Sequence, residues 1–453
     1  MKREHFSSRL GFILITAACS IGLGNVWRFP YITGLYGGAS FVLLYIAFLL
    51  ILSLPIVVME FAVGRASQQS TARSFDILEP AGSKWHWFKY VSLAGNYLLM
   101  MFYTVITGWL LWYFTATMRG RFQELSPEAA AGIFASLLAD PVTMFLYTVV
   151  TIAVSALICA MGIQNGVERI TKWMMIALFS LLLVLAANSI LLPGAEKGLA
   201  YYLLPDFGRM MDIGLSECVF GAMGQAFFTL SVGVGTLSVF GSRIDKSSSL
   251  TENALYMAVL DTLVAIISGL IIFPACASFG IQPDSGPNLL FVTLPNVFNG
   301  MEGGRLWGSL FFLFMCFAAL TTVIAVIENI MTWHMDYSGW SRKRAAVTVT
   351  LLLSVLVLPC VLGFNVWADI QPLGEGSNIL ALEDFIMSNN LLPMGSLVFL
   401  AFCTRKCGWG WDNFYREACA GKGLPYPRSA RGYVTHILPV IILIVLAGGY
   451  LSM

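Results

Sequence analysis

Charge is what this sequence has least of. Asp, Glu, Lys and Arg make up 11% of its 453 residues, against about a quarter in an ordinary soluble domain. The formal net charge is +1, which excludes a polybasic surface and with it a nucleic-acid partner. Only four histidines occur, and all of them, His5, His86, His334 and His436, fall at expected helix ends. No serine or cysteine stands where it could pair with one of them inside an apolar stretch, so the sequence does not read as an enzyme. The nine cysteines form no CxxC pair and no zinc spacing and are taken as packing residues. A phosphate-binding loop is missing too. The glycine pairs Gly22/Gly24 and Gly233/Gly235 follow no strand and complete no GxGxxG.

What the sequence has instead is apolar length, with 58% hydrophobic residues. Stretches able to cross a roughly 30 Å hydrocarbon core as helices start near Ser8, Ala39, Trp87, Pro141, Gly166, Leu215, Thr251, Arg305, Ala346, Asn378 and Val434. The expectation is an all-α polytopic membrane protein of eleven transmembrane segments, one domain over residues 1–453, with the lipid bilayer as its surroundings and no obligate protein partner evident. Of the 26 Lys and Arg, all but Arg28, Arg119, Arg121, Lys197, Arg209 and Arg305 fall on one side if the N-terminus is inside. The positive-inside rule therefore places the N-terminus in the cytoplasm and, after eleven spans, the C-terminus outside. The TAAC run in segment one resembles a lipoprotein cleavage site. Thr16 stands where leucine is usual there, and apolar spans rather than a soluble domain follow.

The chain is organised around residues 17–30, AACSIGLGNVWRFP. Gly22 and Gly24 each forfeit roughly 1 kcal/mol of helix propensity against alanine. Asn25 and Arg28 then put polarity and charge where a bilayer centre makes a charge cost about 2.5–3.5 kcal/mol. A break near residues 20–24 whose freed backbone groups line a binding cavity accounts for both. Segment six repeats the anomaly in GQAFFTLSVGVG, where Gln225, Thr229 and Ser231 precede Gly233 and Gly235. Breaks in the first and sixth spans are the pattern of a five-plus-five inverted repeat, about 8–192 and 215–404, leaving residues 434–453 as an accessory helix. Asp261 lies ten residues into segment seven, about 15 Å at 1.5 Å per residue, which puts a lone carboxylate at mid-membrane and marks a functional site. In segment eight, Ala318, Thr321 and Thr322 share one helix face. Glu60 and Arg65, at the MEFAVGR end of segment two, are expected to meet cytoplasmic water. Residues 283–304, rich in Pro, Gly and Asn, read as an outer hairpin or lid, and Asn389, Asn390 and Pro393 as an irregular stretch of segment ten.

GLGNVWRFP, MEFAVGR, GQAFFTLSVGVG and AALTT resemble the sodium-coupled neurotransmitter and amino-acid symporters, whose bacterial members include the leucine transporter. The likeness runs from KREHF to segment ten, and eleven spans rather than twelve is similar to the bacterial subgroup that carries many hydrophobic amino acids across the cytoplasmic membrane. The resemblance implies two sodium sites. The first would use the Ser20 carbonyl, Asn25, Thr229 and Asp261; the second, the carbonyls of Ala18, Ile21 and Ala318 with the hydroxyls of Thr321 and Thr322. The substrate carboxylate would meet the amides of Leu23 and Gly24 and the Tyr103 hydroxyl, and its ammonium the carbonyls of Phe228, Thr229 and Ser231. Leu99, Tyr103, Ile106, Phe228, Val234 and Val326 would wall its side chain, the two valines standing where the leucine transporter has larger residues. Arg28 and Asp384 would close the outside, Arg3 and Asp336 the inside. The chloride of some relatives has no hydroxyl here at Ala265, and Asp261 offers a charge in its place, so no chloride is expected. Two positions depart from the family. The segment-five proline is replaced by Ile176, nine residues and one beyond Gly166, and Arg243 stands where relatives often have tyrosine. Sodium-driven uptake is the leading reading; a membrane sensor that binds an amino acid without moving it is the alternative.

Overall fold

The computed structural model describes residues 9–123, 125, 127–280 and 289–451. No strand occurs among them; a single bridge pairs Ser248 with Lys422. Among the described residues nine helices are apolar and long enough to cross a membrane: Ala39–Ser67, Trp85–Met118, Pro141–Ala160, Ile163–Ile190, Leu250–Ser278, Gly304–Ser338, Arg342–Leu362, Ile379–Thr404 and Ala430–Tyr450. These are segments two to five and seven to eleven. Segment one is the bent pair Arg9–Ser20 and Gly24–Leu35, inclined by 57°, and its break falls at Ile21 and Gly22. Segment six is the pair Leu215–Thr229 and Thr236–Gly241. Each piece is too short to span alone, and the expected number of eleven rests on counting the pair as one.

Both breaks follow from local chemistry. After segment six's first half, Ser231, Gly233 and Gly235 have φ of 50°, 100° and 78°, left-handed values that two glycines adopt without strain. In segment one the last α-helical residue is Ser20, and the chain resumes as a π-turn, Gly24–Arg28, with Pro30 early in the helix that follows. The irregular stretch foreseen in segment ten is likewise a π-turn, Ile386–Leu391.

The buried apolar side chains form two bodies. One is built mainly from segments three, four, five, eight and nine, the other mainly from two, six and eleven, and segments one, seven and ten contribute to both. Segment one changes body along its length. Phe12, Ile15, Phe29 and Ile32 lie in the second core, whereas Ala17, Ala18, Ile21, Leu23 and Val26 lie in the first. The broken stretch thus lies where the two clusters adjoin.

Two expectations are corrected. Glu60 and Arg65 do not meet water, since both are fully buried. Glu60 accepts from the Gly233 amide at 2.5 Å, and Arg65 is paired with Glu417 at 2.6 Å while donating to the Ser248 carbonyl. A buried charge needs such partners to be tolerated, and they arrive 173 and 352 residues later in the chain. Segment eleven is also more than an accessory, because Val445, Gly448 and Gly449 line the main cavity. Of the expected lid, residues 283–288 lie outside the described residues. The remainder is an apolar helix, Leu289–Asn299, anchored where Tyr113 donates to the Phe291 carbonyl at 2.7 Å.

Candidate functional site

The two breaks face each other. Asn25 Nδ2 donates to Thr229 Oγ1 at 3.2 Å and to the Asp261 carbonyl at 3.0 Å. Thr229 Oγ1 in turn donates to Asp261 Oδ2 at 2.8 Å, and Gln225 Nε2 donates to the Gly24 carbonyl at 3.0 Å. Ser20, Asn25, Thr229 and Asp261 are all buried. Asp261 Oδ1 has no hydrogen-bond partner, and a fully buried carboxylate oxygen left in that state is an anomaly that a cation resolves. Side-chain oxygens with one formal negative charge are the donors a hard cation such as sodium takes.

A second oxygen cluster lies at the other side of the break. Thr322 Oγ1 is 3.4 Å from the Ala18 carbonyl, 3.3 Å from that of Ile21 and 3.5 Å from that of Ala318. Thr321 Oγ1 lies 3.0 Å from the Ala318 carbonyl. One hydroxyl cannot donate to three carbonyls at once. Three carbonyl and two hydroxyl oxygens gathered in this way are donors of the kind a hard cation takes. The residues that the resemblance assigns to each sodium are therefore brought together in two groups.

Between them is Tyr103, whose hydroxyl accepts from the Leu23 amide at 3.0 Å. Gly22 is required here by space, since a Cβ on it would come within 2.4 Å of Tyr103 Oη and 2.7 Å of Thr322 Oγ1. A cavity of about 770 Å³ opens from this point and is lined by Leu23, Tyr103, Ile106 and Phe228 of the expected pocket. Leu99, Val234 and Val326 do not line it; they lie buried in the first core beside Tyr103 and Ile106. Gly24, Thr229 and Ser231 do not line it either.

Arg28 and Asp384 both line the cavity, but they form no ion pair. The Arg28 guanidinium lies over the Phe228 ring, 4.2 Å from its centroid, while Asp384 accepts from Ser388 Oγ at 2.7 Å. The passage between them is open. On the opposite side, Asp336 accepts from the Ser70 amide at 2.8 Å; its expected partner Arg3 lies outside the described residues. Arg243 meets Glu328 at 3.2 Å, and Arg342 meets the same carboxylate at 2.7 Å. Sequence reasoning missed Glu328, although an acid inside IAVIENIM was a visible signal. It also missed the amide pair Asn96 and Asn329, bonded at 2.8 Å, and these had no signal beyond being polar in apolar helices.

Two broken helices crossing at a seam, with paired oxygen clusters and an open cavity, define a membrane transporter rather than an enzyme. The comparisons make that particular: the chain matches the sodium:neurotransmitter symporter family over residues 3–125 and 137–446 and belongs to it. It is 34% identical over 405 residues to a sodium-dependent transporter of Bacillus subtilis, covering 89% of this chain and 88% of the relative. A sodium-dependent transporter of Haemophilus influenzae is 29% identical over 457 residues, with 98% and 97% covered. The crystal structure of MhsT in complex with L-phenylalanine superposes with a TM-score of 0.88 at 36% identity, covering 99% of this chain and 100% of that one. The protein is thus a multi-pass, sodium-coupled symporter.

Proposed function

We propose that the chain takes up hydrophobic L-amino acids, bulky and aromatic ones included, by alternating access, with two sodium ions and without chloride. We place it in a bacterial cytoplasmic membrane with the N-terminus inside and the C-terminus outside. The observation that carries the substrate class is the end of the cavity, where the Leu23 amide and Tyr103 hydroxyl meet an apolar wall of Ile106, Phe228 and Phe102. A carboxylate fits the first, next to the amide end of a half-helix, and an uncharged side chain fits the second. MhsT, similar over its whole length, holds L-phenylalanine. In this reading the cluster at Asp261 and the cluster at Thr322 each hold one sodium, and Arg28 and Asp384 close over the substrate once it is bound. Arg3 and Asp336 do the same on the inner side.

A zwitterion entering with two sodium ions carries about two charges inward, worth roughly 4.6 kcal/mol at 100 mV. That sustains accumulation on the order of a thousandfold before any sodium gradient is added. The test is uptake of labelled L-phenylalanine into proteoliposomes with an inward sodium gradient. Accumulation above the outside concentration supports the proposal, whereas sodium-dependent binding without accumulation identifies a sensor.

A further inference from the structure

The last helix, Ala430–Tyr450, touches the open gate directly. Gly448 and Gly449 sit in tandem inside a membrane helix, each at roughly 1 kcal/mol of lost propensity, and both face the cavity. Their use is close approach. A Cβ on Gly448 would come within 2.8 Å of the Phe220 ring, and one on Gly449 within 2.9 Å of Asn389 Nδ2. Three contacts then join this helix to segment ten, two to the π-turn Ile386–Leu391 and one to Phe385 just before it. Asn389 Nδ2 donates to the Gly449 carbonyl at 3.4 Å, the Tyr450 hydroxyl donates to Asn390 Oδ1, and Tyr450 packs edge-on against Phe385 with centroids 5.4 Å apart. Asp384 precedes Phe385 and is tied to Ser388 within the same turn. The segment that carries the gate carboxylate is therefore gripped from outside the five-plus-five repeat.

We propose that Tyr450 and Asn390 are positioning residues for the outer gate: the last helix latches the π-turn of segment ten and holds Asp384 apart from Arg28 while the cavity is open. Closing requires Asp384 to travel toward Arg28, so the end of the helix that bears it, Ile379–Phe385, and the π-turn that follows must slip on the helix that grips them. A π-turn is suited to this, because its extra residue can be passed along the helix without breaking it. The proposal rests on the reading of Arg28 and Asp384 as the outer gate.

The experiment uses a reporter cysteine, Gly224→Cys, on the cavity wall one helical turn before Phe228, where an added Cβ meets nothing within 4 Å, with the two cysteines that are not buried, Cys407 and Cys419, replaced by serine. In purified full-length protein with sodium and no substrate, the maleimide labelling rate reads how long the gate stays open. Tyr450→Phe and Asn390→Ala are each expected to slow labelling several-fold, and the double variant to slow it no further, because both remove one bond. Saturating sodium-dependent L-phenylalanine binding, retained in each variant, shows that the protein is folded. Unchanged labelling in either single variant, or effects that add in the double, overturns the latch. A parent that labels yet binds no amino acid overturns the transporter reading instead, and the latch is still decided by the labelling rates.

Discussion

Asp261 has one carboxylate oxygen engaged by Thr229 and one left over, and that leftover oxygen accounts for the anion expectation. In chloride-dependent relatives an anion beside the first sodium supplies negative charge. Here Ala265, one helical turn along, is fully buried and has no hydroxyl, and in the proposed function the Asp261 carboxylate supplies that charge. Two anions at such range in a low dielectric repel, which makes them alternatives. Replacing chloride with gluconate should leave uptake unchanged, while Asp261→Asn should lose sodium affinity or acquire a chloride requirement. A several-fold fall in wild-type uptake at fixed sodium and membrane potential would show that Asp261 is no substitute. Gly22 gives a second test at this scale. Gly22→Ala drives a methyl onto Tyr103 Oη and Thr322 Oγ1, so it should weaken both sodium and substrate binding by about tenfold or more, roughly 1.4 kcal/mol. Equilibrium binding of labelled amino acid against sodium concentration measures both; a shift in one affinity alone argues against a shared boundary.

Among the elements, segment five raises the sharpest question. Its helix runs unbroken from Arg169 to Ile190, with Ile176 half exposed in place of the proline that the family carries. The inner half of segment one rests directly on this helix at its start, where a Cβ on Gly11 would come within 2.1 Å of Glu168 Oε1. Inward opening has to part that contact. Ile176→Pro removes a helix hydrogen bond and costs roughly 3 kcal/mol of helix stability, a cost borne by the closed helix. It should speed single-turnover uptake, and unchanged sodium release in the variant would mean that the missing proline is no handicap. Which elements could be read in advance is also a matter of range. The breaks were legible because glycine pairs, Asn25 and Gln225 announce themselves locally. Asp261 was legible because a lone acid at mid-helix has few innocent explanations. Glu60 and Arg65 were misread because their partners, the Gly233 amide and Glu417, lie far along the chain, and nothing near residue 60 reports them. The cavity-facing side of the last helix was hidden for the same reason: Gly448 and Gly449 look like ordinary small residues until Phe220 and Asn389 are packed against them.

At the scale of the whole molecule, the proposed alternating access has to be carried by segments one, seven and ten, which contribute to both apolar clusters and so must flex where the two adjoin. The cavity is open on the side of Arg28 and Asp384, and the other side is tied by Glu60, Arg65 and the Arg243–Glu328–Arg342 cluster. With an apolar wall of Phe102, Ile106 and Phe228 for the side chain, leucine, tryptophan, tyrosine and phenylalanine should compete with one another. Lysine and glutamate should not, because each would bury an unpaired charge; competition by glutamate at micromolar levels would refute the pocket. The break in segment one reaches further, into how the protein is made. Asn25 finds Thr229 204 residues later, and the Gly24 carbonyl finds Gln225 201 residues later. At about 5–20 residues per second of synthesis, the first helix to leave the ribosome waits roughly ten to forty seconds for its polar groups to be matched. The Leu23 amide finds Tyr103 after 80 residues, but until segment six emerges Asn25 and the Gly24 carbonyl lack these partners. Nascent chains cut before residue 229 should therefore hold their first span poorly in the bilayer, and chains cut after segment seven should hold it firmly.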